Sequence, residues 1–119
     1  MKKIILSIDD NKDVLMLEKI VLTQAGYEVH TAENGQDALD KIKVLEKIDL
    51  ILLDYEMDQM NGPEFLECFE AQAPARFEKI PVIYVTAYDK PPQKLTKSWI
   101  PKLRDIDQFV KDVRRFVLD

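Results

Sequence analysis

With 119 residues the chain has room for one hydrophobic core and none for a second domain, so a single domain over residues 1–119 is expected. Hydrophobic residues make up 46% and charged residues 33%, the balance of a folded soluble protein and not of a disordered one. The formal net charge of -5 repels a phosphate backbone, and no basic stripe with interleaved aromatics offsets it, which argues against direct nucleic-acid binding.

The opening MKKIILSIDD sets two lysines before an apolar run, but the run is too short for the core of a cleavable signal. No membrane insertion is expected, and a single cysteine rules out an internal disulfide, so the cytoplasm is the expected location. KIILSI reads as a strand ending at Asp9 and Asp10. Val14, Leu17, Val21, Leu22 and Ala25 then recur at helical spacing until Gly26 stops the helix. YEVHTA alternates as a half-buried strand. Asn34 and Gly35 open a second helix whose apolar face is Ala38, Leu39, Ile42 and Leu45. LILL is wholly apolar, as a strand covered on both faces must be, and Gly62 and Pro63 begin a third helix carrying Phe65, Leu66 and Phe69. PVIYVT gives a fourth strand. A polar, proline-bearing segment precedes a short fifth strand around Trp99 and Ile100. Ile106, Phe109, Val110, Val113, Phe116 and Val117 mark a final helix.

Strands separated by helical crossovers imply an α/β fold: a parallel sheet with helices on both faces, binding its ligands outside the carboxyl ends of the strands. The polar punctuation falls on that edge. Asp9 and Asp10 end the first strand, Asp54 the third and Thr86 the fourth, and Lys102 follows the fifth. If the first and third strands are neighbours, three carboxylates share one crevice, and a hard divalent cation, Mg²⁺ above all, is the usual relief of their repulsion. Each aspartate could instead cap the helix that follows, but five polar positions along one edge are not explained by capping.

Taken together, the acidic pair Asp9 and Asp10, GYEVHTAENGQDAL, DLILLD followed by MNG, PVIYVTA, and Trp99 three residues before Lys102 resemble a response-regulator receiver domain of the stand-alone, chemotaxis-regulator-like kind, over essentially the whole chain. The resemblance implies a doubly wound, flavodoxin-like five-stranded sheet in the order 2-1-3-4-5. It also implies Mg²⁺-dependent phosphoryl transfer from a histidine kinase or phosphotransfer protein to Asp54, forming an aspartyl phosphate that switches binding to a downstream protein target. On this resemblance Asp9, Asp10, Asp54 and the backbone carbonyl of Glu56 hold the metal, and Lys102 and Thr86 grip the phosphoryl group. Thr86 and Trp99 form the switch, and the side chains of Glu56 and Tyr88 tune the lifetime of the phosphoaspartate. Any enzymatic character is then self-phosphorylation and autodephosphorylation, not turnover of an external substrate.

Three departures from the family pattern bear on the signalling face and leave the catalytic groups in place. The segment between Thr86 and Lys102 is short and carries Pro91 and Pro92, so the fourth helix is expected to be short or irregular over residues 89–97. Asp58 stands where a proline is common. Lys102 is preceded by Pro101 and not followed by proline, which leaves open whether the peptide after Lys102 is cis. Cys68 reads as a small hydrophobe, His30 as a solvated strand residue, Met57 and Met60 as packing, and Lys90, Lys94 and Lys97 as a solvated face. Two other classes remain open to the sequence. DYE after a hydrophobic strand is similar to the nucleophile motif of haloacid-dehalogenase-like phosphatases, for which phosphomonoester turnover is the discriminating test. A pseudo-receiver would act as a constitutive interaction module and would fail to bind Mg²⁺.

Overall fold

The computed structural model describes residues 1–87 and 98–117. Five strands, β1 (Ile4–Ile8), β2 (Glu28–Ala32), β3 (Leu50–Asp54), β4 (Val82–Thr86) and β5 (Trp99–Pro101), form one sheet in the order β2-β1-β3-β4-β5. Every neighbouring pair is parallel, with Ile8 beside Leu53, Asp54 beside Val85 and Thr86 beside Pro101. The strand order turns between β1 and β3, the place where open parallel sheets leave a crevice for a ligand.

Strand alternation divides the core into two. Leu6, Ile8, Ile51, Leu53, Val82 and Tyr84 face α2 (Gly35–Val44) and α3 (Gly62–Gln72), which contribute Ala38, Leu39, Ile42, Phe65, Leu66 and Phe69. Ile5, Leu50, Leu52, Ile83, Val85 and Ile100 face α1 (Lys12–Gln24) and α5 (Ile106–Phe116), which supply Val21, Leu22, Phe109 and Val113. Asparagines cap the first three helices. Asn11 and Asn34 each accept from amides of the first turn, and Asn61 forms a reciprocal capping box with Glu64. Gly26 carries a φ of 104° just beyond α1, the left-handed stop its sequence position predicts.

The structure corrects the phase of α1 and adds one element. The buried face of α1 is Leu15, Glu18, Val21 and Leu22, whereas Leu17 is 46% exposed. An inward glutamate breaks the apolar series and moves its apparent phase onto the wrong leucine. Ile106 opens α5 with its side chain 56% exposed, in the first turn ahead of the packed face. A short helix, α4 (Pro74–Lys79), precedes β4, with Pro74 in its first turn; Phe77 packs edge-on against Phe69, and the Arg76 guanidinium donates to the Ile42 carbonyl. No peptide bond among the described residues is cis. The expectation for residues 89–97, together with Tyr88, Lys90, Lys94 and Lys97, lies outside the described residues.

Candidate functional site

Leu50 to Leu53 fill both faces of the sheet, so β3 carries Asp54 into the crevice with 1% of its surface exposed. Its Oδ1 accepts from the Glu56 amide at 3.2 Å and lies 3.5 Å from the Lys102 ammonium. Its Oδ2 is buried and has no hydrogen-bond partner among the described residues. Asp9, 2% exposed at the end of β1, accepts from the Asn11 amide at 2.9 Å and meets the same ammonium at 3.4 Å. Asp10 is exposed, and its carboxylate accepts from the Asp58 amide at 3.2 Å, which ties the β3–α3 loop to the β1–α1 loop. Carboxylate oxygens from Asp9, Asp10 and Asp54 lie within 4.8 Å of one another, the one grouping of this kind among the described residues. Asn11, and neither aspartate, caps α1.

Electrostatics follow from this crowding. Burial raises the Asp54 carboxyl from 3.8 to about 7, with Asp9 and Asp10 adding to the rise and Lys102 and the Glu56 amide opposing it. Burial works against the charge of Lys102, but Asp54 and Asp9 more than offset it and hold its pKa above the ordinary 10.5. One lysine shared by two buried carboxylates, with a third carboxylate at the rim, leaves a net negative site with an unsatisfied oxygen. A hard cation with oxygen ligands fits that donor set.

The other predicted residues surround this centre. Thr86 ends β4, fully buried, and its carbonyl accepts from the Lys102 amide at 2.9 Å. Trp99 is half-buried, beside Tyr84 in register and packed on the α2–α3 core. Glu56 points to solvent while its amide serves Asp54. Met57 is buried, and Met60 packs so tightly on the start of α2 that a Cβ on Gly35 would clash with its sulfur. His30 is half-buried with Nε2 2.8 Å from Glu28, and Cys68 is half-buried against the core. The Asp58 amide was missed from sequence because a backbone donor carries no side-chain signature.

Residues 5–111 match the response regulator receiver domain. The chain is 35% identical over 94 residues, 79% of its own length, to the transcriptional regulatory protein GlrR of Escherichia coli K12, and spans 20% of that protein's length. Chemotaxis protein CheY4 of Vibrio cholerae superposes with a TM-score of 0.86 at 27% identity, covering 99% of this chain and 100% of that one. The response regulator TrrA of Thermotoga maritima, solved in complex with Mg²⁺-BeF, superposes with a TM-score of 0.79 at 30% identity, covering 96% and 98%.

Proposed function

The chain belongs to the response regulator receiver domain family, and we propose that Asp54 accepts a phosphoryl group from a phosphohistidine on a kinase or phosphotransfer protein, changing what the domain binds. The observation that carries the reading is the Asp54 Oδ2 atom, buried and unpartnered, beside a lysine and two further carboxylates. In the transfer, an Asp54 oxygen attacks phosphorus in line, the P–N bond breaks, and the departing imidazole keeps the electron pair and is protonated. Lys102 balances charge gathering on the phosphoryl oxygens, and the Thr86 hydroxyl at the end of β4 donates to one of them. Asp9, Asp10, Asp54 and the Glu56 carbonyl would hold Mg²⁺, which when bound neutralises the phosphoryl oxygens.

Movement of Thr86 toward the phosphate frees room behind it for Trp99, which would pass the change to the surface. The exposed Glu56 carboxylate slows hydrolysis by adding negative charge at the mouth. The exposed apolar residues Met16, Leu17 and Ile20 on α1, beside the β1–α1 loop, support docking of a helical partner there. A kinase or phosphotransfer partner of this kind implies a cytoplasmic reaction.

The test is acetyl phosphate with Mg²⁺: wild type gains one phosphoryl mass at Asp54, whereas Asp54→Ala and wild type stripped of divalent cations with chelator gain none. Modification of another residue, or no modification of wild type together with no Mg²⁺ binding, overturns the reading in favour of a constitutive interaction module.

A further inference from the structure

Beneath the acidic cluster lies a second buried polar group that the transfer does not use. Ser7 precedes Asp9 by two residues on β1, so both side chains lie on the α1–α5 side of the sheet. The Ser7 hydroxyl donates to Glu18 Oε1 of α1 at 2.5 Å, with Ser7 1% and Glu18 2% exposed. Among the described residues Ser7 is the one hydrogen-bond partner of Glu18, and no lysine or arginine pairs with it. Leu15, Val21 and Leu22 share the inner face of α1 with Glu18, and Ile5 and Leu52 lie on the same side of the sheet.

We infer that Glu18, buried beneath the site on the Ser7 hydroxyl, exchanges its proton with solvent and in its ionised form strengthens divalent-cation binding by Asp9, Asp10 and Asp54. The inference rests on the metal-binding reading of that cluster. A carboxyl this deeply buried, with a single hydroxyl as its hydrogen-bond partner, is held neutral more cheaply than charged. Burial, opposed by the Ser7 hydroxyl, carries Glu18 from 4.5 to about 7; Asp9 and Asp54 push the same way and Lys102 pushes back. Those three groups, on β1, on β3 and after β5, are the charges that act on it. On α5, Asp112 is engaged by Gln108 and Arg115, and His30 lies across the sheet on the α2–α3 side. A cation at the cluster screens the repulsion from Asp9 and Asp54 and so favours ionised Glu18. By reciprocity, ionised Glu18 favours the cation.

Glu18 touches no reacting atom, so it is a positioning residue acting through charge, and its test must separate charge from packing. Mg²⁺ affinity is measured by calorimetry for wild type and Glu18→Gln at about pH 5.5 and about pH 8, either side of the shifted carboxyl. Asp54 titrates in both proteins, so the ratio between them isolates Glu18. At the lower pH both side chains are neutral and the affinities agree. At the higher pH the variant binds roughly threefold to tenfold more weakly, the size of a through-space charge coupling at a partly screened site. In parallel, the side-chain carboxyl resonance of Glu18 titrates near neutrality, moves down when Mg²⁺ is added, and moves up in Ser7→Ala. An affinity ratio that is the same at both pH values, or a Glu18 midpoint in the ordinary carboxylate range, overturns this inference alone. Absence of Mg²⁺ binding by wild type overturns it together with the metal-binding reading.

Discussion

The two sides of the sheet are built from different materials. On the α2–α3 side the buried side chains are apolar apart from the Tyr84 phenol and, by alternation, the Thr86 hydroxyl at the strand end, and none of them among the described residues is a carboxylate. On the α1–α5 side the apolar layer is interrupted by Ser7, Asp9, Glu18, Asp54 and Asp112, so every buried carboxylate of the described residues lies there. The strands are common to both sides, and alternation alone assigns each residue to one or the other. One side therefore contributes stability that pH does not move, while the other gives up some stability to hold charge at the crevice.

The largest effect that sharpens this contrast comes from the apolar side. Phe65 is fully buried against Phe69, and Phe65→Ala should cost about 3–5 kcal/mol in denaturant unfolding, by the same amount at acid and neutral pH. A loss that varied with pH would show that the two sides are not independent. Next is Gly62, where a Cβ would lie 2.7 Å from the Tyr84 ring and 3.2 Å from the Asp54 carbonyl. Gly62→Ala should cost about 1–3 kcal/mol by overpacking and, by displacing the strand end that carries Asp54, should also slow acetyl-phosphate labelling. Normal labelling in a destabilised variant would separate the α3 start from the site.

The charged side predicts a pH dependence of definite sign. Glu18 and Asp54 have folded-state pKa values raised to about 7 from 4.5 and 3.8, so the native state binds more protons than the unfolded chain across that window. Their contribution is fully present below the unfolded values, falls as pH rises, and is gone above about 7. Glu18→Gln stays neutral and escapes its share of that loss. Its stability relative to wild type should therefore rise by about 1–3 kcal/mol between acid and mildly alkaline pH, read from denaturant midpoints in metal-free buffer. A constant difference would mean that Glu18 is charged throughout.

The same division governs how far the sequence was legible. Asp9, Asp10, Asp54 and Lys102 could be read because each punctuates the end of a hydrophobic strand, and parallel topology sends those ends to one edge. The apolar side could be read because LILL and the Phe65, Leu66, Phe69 spacing match strand and helix periods without exception. What failed had polar residues where a period expects apolar ones. Ser7 and Glu18 lie far apart in sequence, and neither announces the other until α1 is laid on β1. The six-residue α4 has too few turns to show a period, although Pro74 at its start is a recognisable opening. The Asp58 amide on Asp10 belongs to loop geometry that side-chain identity does not encode.

The smallest predicted effect tests the phase of α1, on which the charged side depends. Leu15 is 4% exposed and Leu17 is 46% exposed, although the two leucines are equally apolar and only two residues apart. In a helix that separation turns a side chain through more than half a circle, so both cannot face the sheet. Leu15 shares its face with Glu18, Val21 and Leu22, and Leu17 lies about 100° around the helix from Glu18, off that face. Leu17→Ser should accordingly change stability by no more than about 0.5 kcal/mol, as surface substitutions do. Leu15→Ala should cost about 2–5 kcal/mol. A Leu17→Ser loss comparable with that of Leu15→Ala would overturn this phase of α1 against the sheet.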